Sequence, residues 1–169
     1  MLVAVRESAM HVMPLLIEAC VAVQQPGWLM LRRTLWPGYP DADHVAEMTR
    51  LLAEPSRFAQ FIAYGDGRAA LGFIEASVRS DYVNGTEGSP VGFVEGLYVV
   101  SGHRRSGIAR AMLARIEHWV VTRGCRELAS DALLDNEPGH AVHRSLGFDE
   151  TERVVYFRKR VPTRPGPPR

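Results

Sequence analysis

The stretch Phe93-Val94-Glu95-Gly96-Leu97-Tyr98-Val99-Val100 runs directly into Ser101-Gly102-His103-Arg104-Arg105-Ser106-Gly107-Ile108-Ala109-Arg110, and this junction limits what the chain can fold into. The first eight residues are apolar and partly β-branched, as in a buried strand. Ile108, Met112, Ile116 and Trp119 then recur at three to four residues, which predicts an amphipathic helix facing a sheet, with Arg110 and Arg115 on its wet side. A strand therefore hands over to a helix through a basic turn containing glycine. Helix N-termini carry unsatisfied N–H groups and partial positive charge, so such a turn can hold a phosphate or pyrophosphate, with Gly107 letting the backbone come close. A solvated connection of the same composition is the plainer alternative. The turn has neither the Gly-Lys-Ser/Thr of a Walker loop nor a Gly-x-Gly-x-x-Gly run.

The flanks extend the pattern. Leu15 to Cys20 reads as a first strand. A helix follows with Pro26 at its first position and Leu31 and Leu35 four apart, and Trp36-Pro37-Gly38-Tyr39-Pro40 breaks it. Asp41 then caps a second helix to Leu52, with Val45, Met48 and Leu52 on one stripe. Phe58–Tyr64 and Ala69–Val78 form strands around Gly65-Asp66-Gly67, and a turn-rich loop over residues 81–90 leads to the strand at Val91. Beyond the long helix come a short strand over Glu127–Asp131, a helix over Pro138–Leu146 closed by Gly147, and a last strand over Thr151–Arg160. Residues 1–14 are expected to be an extension, 15–161 one domain, and 162–169 a Pro-rich tail. At 169 residues that domain can bury a core unaided. A formal charge of +1 speaks against a nucleic-acid or membrane-surface partner. Cys20 and Cys125 stand alone, so no metal or redox motif is indicated. With no signal peptide or membrane span in view, a soluble cytoplasmic protein is expected.

The Arg-x-x-Gly-x-Ala turn resembles the pyrophosphate loop of the GCN5-related N-acetyltransferases. Several motifs, in order, are more specific: Leu35-Trp36-Pro37, Asp81-Tyr82-Val83-Asn84-Gly85, Ser89-Pro90-Val91, Val94-Glu95-Gly96, Cys125 to Asp131 and Leu146 to Arg153 resemble the aminoglycoside 6'-N-acetyltransferases over about residues 15 to 160. The resemblance implies an α+β single-domain fold: a mixed, mostly antiparallel sheet, helices on both faces, and a splay between the fourth and fifth strands. It implies acetyl-CoA as acetyl donor, held by Leu97, Tyr98, Val99, His103, Arg104, Arg105, Ser106, Gly107, Ile108, Ala109 and Asn136. The N–H of Leu97 would face the thioester carbonyl. Asn136 is alternatively a helix N-cap ahead of Pro138. The acceptor implied is a small cationic amine, an aminoglycoside, and the assembly implied is a homodimer. Two departures stand out: His143 occupies the position where the superfamily places a tyrosine that protonates the leaving thiolate, and residues 1–14 have no counterpart.

Acetyl transfer from a thioester to an amine needs no covalent enzyme intermediate when both substrates are held together. The amine must be neutral, so a carboxylate or a carboxylate-held water must take a proton, and Glu95 and Asp131 are the candidates, each alternatively a surface or capping group. By strict alternation Glu95 would share a face with Phe93 and Leu97. Carboxylates at Asp81, Glu87, Glu95, Asp131, Asp135, Glu137, Glu150 and Glu152 suggest an acidic cleft for a polycation, with Glu95, Asp131, Glu152, Trp36, Tyr39 and Tyr82 as acceptor-binding candidates. The alternatives are another small amine or protein amine as acceptor, or a binder of cationic ligands without turnover.

Overall fold

The computed structural model describes residues 15–161. The expectations for residues 1–14 and 162–169 lie outside them. The elements follow as β1 (Leu16–Ala19), α1 (Trp28–Leu35), α2 (Asp41–Ala53), β2 (Phe58–Tyr64), β3 (Ala70–Arg79), β4 (Val91–Val99), α3 (Ile108–Thr122), β5 (Leu128–Ser130) and α4 (Glu137–Leu146), with single 3₁₀ turns at Asp66–Arg68 and Ser101–His103. The five strands lie in sequence order in one sheet. β1 to β4 pair antiparallel and β5 joins β4 in parallel. A parallel neighbour needs a crossover, and α3 supplies it.

Each face of the sheet buries its own core. Against α3, Ala63, Ile74 and Val94 pack with Met112 and Ile116. Against α1 and α2, Ile62 and Phe73 pack with Trp28, Leu31 and Met48. Burying each such side chain contributes roughly 1.5–3 kcal/mol, which is what holds the helices to the sheet.

Four local expectations are corrected. Helix α1 starts at Trp28, because Gly27 takes a left-handed φ of 82° that ends the preceding loop, and a Cβ there would lie 2.3 Å from that of Ala70. Pro40, not Asp41, is the N-cap of α2, and Asp41 pairs with Arg33 from the first turn. The buried residues of α2 are His44, Met48 and Leu51, while Val45 is exposed, because the helix presents the side that meets Phe58 and Ile62. Residues 151–160 form no strand. Their composition is strand-like, but a strand exists only with a ladder partner, and they find none among the described residues.

A bulge separates the two halves of β4. Glu75 of β3 pairs with Gly96 and Ala76 with Val94, so Glu95 is the extra residue. The alternation slips there: Leu97 and Val99 pack on the α3 side, whereas Phe93 belongs to a small core with Val83 and Val91, and Glu95 lines a cleft beside α1 and α2. The expectation that Glu95 and Leu97 share a face is therefore wrong, because strict alternation does not survive a bulge.

Candidate active site at the splay of β4 and β5

The β4–β5 pairing ends at Val94↔Ser130, while β4 continues to Val99 in register with β3. From the bulge onward the edge of β4 that faced β5 has no strand partner. Leu97, Tyr98 and Val99 lie along this open edge, which can take an extended ligand as a strand would.

The edge points to the turn before α3. Arg105 and Gly107 both have left-handed φ, 60° and 85°. Turns containing such residues gather backbone N–H groups into an anion-binding concavity. Among the described residues, the N–H groups of residues 105–110 bond to no protein acceptor, and the first to do so is Ala111, to the Gly107 carbonyl at 3.0 Å. Ser106 Oγ donates to the His103 carbonyl and Arg104 Nε to the Val99 carbonyl at 3.0 Å, bracing the loop against the end of β4. Arg105 is exposed, and Ile108 anchors the helix start in the core. No Cβ clash explains Gly107; its φ does. The donor set and the open edge together fit the pyrophosphate and extended arm of a coenzyme A thioester.

On the other face a cleft of about 660 Å³ opens between β3, β4, α1 and α2. Trp36, Tyr39 and Glu95 of the acceptor candidates line it. Trp36 packs edge-on to Phe73 and lies so close to the backbone of β4 that a Cβ on Gly96 would sit 2.5 Å from its ring. It thus serves core and cleft at once. Tyr39 is 62% exposed at the rim, against His44. Glu95 accepts from Ser77 Oγ and, through both oxygens, from Arg79 Nη2 at 2.9 and 2.8 Å. Beneath it a buried pair, Arg32 with Glu75, is completed by Trp28 Nε1 donating to Glu75 at 2.7 Å. Burial pushes the Glu75 carboxyl above its ordinary range, against the pull of Arg32 and Trp28.

The carboxylates do not converge as expected. Of the eight, only Asp81 and Glu95 line this cleft, alongside Arg32, Arg50, Arg57 and Arg79. Asp131 is exposed just past β5. Glu152 accepts from Asn84 at 3.3 Å, and Tyr82 is 76% exposed on the same loop, which is held by Glu87 and Gly88 N–H groups donating to Glu127. Asn136 caps α4, accepting from the Gly139 N–H at 3.0 Å.

His143 lies where β4 and β5 part. Its Nδ1 is 2.8 Å from the Gly139 carbonyl, which can only accept, so the proton is on Nδ1 and Nε2 faces the Ser130 hydroxyl at 3.0 Å. Ser130, Ser77 and Arg79 were not among the expected site residues. The polar alternation Glu75, Ser77, Arg79 in an otherwise apolar strand was a usable signal for two of them. Nothing local marks Ser130, whose place comes from strand pairing.

The acetyltransferase (GNAT) family model matches residues 28–148, and the chain belongs to that family. Its members use acetyl-CoA as acetyl donor. Within the family the similarity is narrower. An aminoglycoside N(6')-acetyltransferase type 1 of Acinetobacter genomosp. 13 is 52% identical over 134 residues, 79% of this chain and 90% of that one. The crystal structure of the aminoglycoside antibiotic 6'-N-acetyltransferase AAC(6')-Ih from Acinetobacter baumannii superposes with a TM-score of 0.83 at 45% identity, over 88% of this chain and 99% of that one. AAC(6')-Iy in complex with the bisubstrate analog CoA-S-monomethyl-acetylneamine gives a TM-score of 0.82 at 42% identity, over 88% and 99%.

Proposed function

We propose that this protein transfers acetyl from acetyl-CoA directly to the 6'-amino group of aminoglycoside antibiotics, conferring resistance by modification. The observation that carries the reading is the run of free N–H groups at residues 105–110 beside the open edge of β4, with Glu95 at the bulge where that edge begins. The names of the relatives supply the acceptor. Acetyl-CoA contributes a thioester whose carbonyl carbon the amine attacks. The Leu97 N–H donates to the carbonyl oxygen as negative charge develops. Glu95 or Asp131, directly or through water, takes the proton that the ammonium must lose before it attacks; as the C–N bond forms and the C–S bond breaks, His143, carrying a proton on Nε2 as well as on Nδ1, gives the Nε2 proton to the sulfur, and the second proton lost by the nitrogen passes to solvent. Trp36 and Tyr39 pack against sugar rings at the cleft, and Tyr82 and Glu152 act from the neighbouring loop.

The test is thiol release from acetyl-CoA across sisomicin, spermidine, free lysine and a lysine peptide. Release with sisomicin, and an acetyl group on its 6'-nitrogen by NMR, is expected. Release only with another amine moves the acceptor, and sisomicin binding without release leaves a binder.

Among the described residues no helix is long and apolar enough to cross a membrane. We place the protein in the cytoplasm, where acetyl-CoA is made, and propose a homodimer. Tyr156 and Phe157 are 82% and 94% exposed in the segment after α4, and among the described residues the outer edge of β5 is unpaired. A strand-like segment and an open edge in the same chain are self-complementary across a two-fold axis. Light scattering at micromolar concentration should give twice the 18.8 kDa of the chain, and a Phe157→Asp variant should shift towards the monomer.

A further inference from the structure

Glu95 already holds a cation. Arg79, two residues beyond Ser77 on β3, reaches both carboxylate oxygens with one guanidinium nitrogen, at 2.9 and 2.8 Å. Its guanidinium carbon lies 3.4 Å from the centre of the Phe93 ring, so the planar group is stacked as well as paired. Ser77 Oγ takes a further position on Oε1. A carboxylate has about four acceptor sites, and three of these are filled from within the protein. An incoming ammonium with three N–H groups finds room for about one hydrogen bond at Glu95 while Arg79 stays in place.

We propose that Arg79 is an internal stand-in for the acceptor's ammonium: it occupies Glu95 in the free protein, and the acceptor must displace it. The inference rests on the reading that Glu95 faces the acceptor amine. The geometry allows displacement, because both side chains are about a third exposed, 33% and 34%, and Arg79 holds no other carboxylate. By contrast, the Arg32–Glu75 pair on the same cleft is sealed, at 6% and 4%. The acceptor can offset the displacement elsewhere, since Asp43 and Asp81 line the cleft without ion-pair partners among the described residues. An acceptor with several ammonium groups engages these as well as Glu95. Arg79 thereby sets a threshold of binding energy that a singly charged amine must meet at one carboxylate alone.

A pair about a third exposed with a stacked guanidinium corresponds to a factor of between about three and ten in affinity. Calorimetric titration with sisomicin reads this without turnover. Arg79→Gln should tighten binding by that factor, and Arg79→Lys, which keeps the charge but loses the planar group stacked on Phe93, should tighten it less. Arg57→Gln removes an equal charge from the same cleft, where its partner is Glu54 at 3.7 Å, and should change affinity by less than twofold. In a Glu95→Gln background the gain from Arg79→Gln should vanish, because the competition it relieves no longer exists. Unchanged or weaker binding in both Arg79 variants overturns the proposal, as does an equal gain from Arg57→Gln or a gain that persists without Glu95. A parent protein that binds no sisomicin defeats the acceptor reading and this inference together, whereas a parent that binds it with unresponsive Arg79 variants defeats this inference alone.

Discussion

Glu95 combines three properties that seldom occur together in one residue: it sits at a bulge, it faces a cleft, and it is charged on an otherwise apolar strand. The bulge turns its side chain away from the α3 core, where a carboxylate would cost several kcal/mol, and towards groups that can bond it. If Glu95 or Asp131 takes the ammonium proton, Glu95→Gln or Asp131→Asn should lower turnover by about 10²- to 10⁴-fold and leave the Michaelis constant for acetyl-CoA nearly unchanged. Steady-state rates with sisomicin check this, and a loss under threefold in both variants removes base catalysis by these side chains. His143 is oriented for the acid side, with Nδ1 committed to Gly139 and Nε2 turned towards Ser130 at the splay. His143→Gln should therefore lower turnover with little effect on the Michaelis constant for acetyl-CoA, since an amide cannot give the sulfur a proton. A variant that keeps its rate assigns the proton to solvent.

At the scale of elements, the turn before α3 and the end of β4 work as one unit. Arg104 ties the loop to the Val99 carbonyl, and Ile108 roots the helix, so the free N–H groups are held on a rigid base. Preorganised donors lose little freedom on binding an anion. Gly107 is the weak point of substitution because its φ of 85° is unfavourable for any residue with a Cβ. Gly107→Val should raise the Michaelis constant for acetyl-CoA by about tenfold or more, the equivalent of one lost charge-assisted hydrogen bond, with a far smaller effect on that for the amine. A folded variant with an unchanged donor constant would show that the loop does not grip the phosphates. Gly96 plays a different part, since it is the absence of a Cβ that lets Trp36 close over β4.

Across the whole molecule, the cleft is built on a buried ion pair that joins α1 to β3. Arg32 and Glu75 lie at the base of the cleft, with Trp28 completing the carboxylate's bonds and the Arg32 Nε left without a partner among the described residues. Removing one member leaves an uncompensated buried charge, so Glu75→Gln should destabilise the fold by about 3–5 kcal/mol. Urea unfolding reads this directly, and a change below 1 kcal/mol would mean that water reaches Arg32. The cleft is less acidic than its carboxylate count suggests, because most of its carboxylates already hold an arginine.

Most of the layered architecture was legible from residues alone. The Gly-rich turn between β2 and β3, the apolar run of β4, the 3.6-residue spacing of α3, and the left-handed glycines 107, 124 and 147 at helix ends were readable because they depend on interactions within a few residues. Tertiary structure alone decided the rest. The bulge that sends Glu95 and Leu97 to opposite faces comes from the register of β4 against β3. The site of Ser130 beside His143 comes from where β5 stops pairing, and the grip of Arg79 on Glu95 joins residues sixteen apart in sequence only after β3 and β4 lie side by side. The segment over residues 151–160 makes the same point in reverse: its sequence favours a strand, but strand formation is a property of a pair, and it pairs with no strand among the described residues. Local propensity is written in neighbouring residues, whereas register, pairing and charge partnership depend on contacts distant in sequence, which exist only once the sheet has formed.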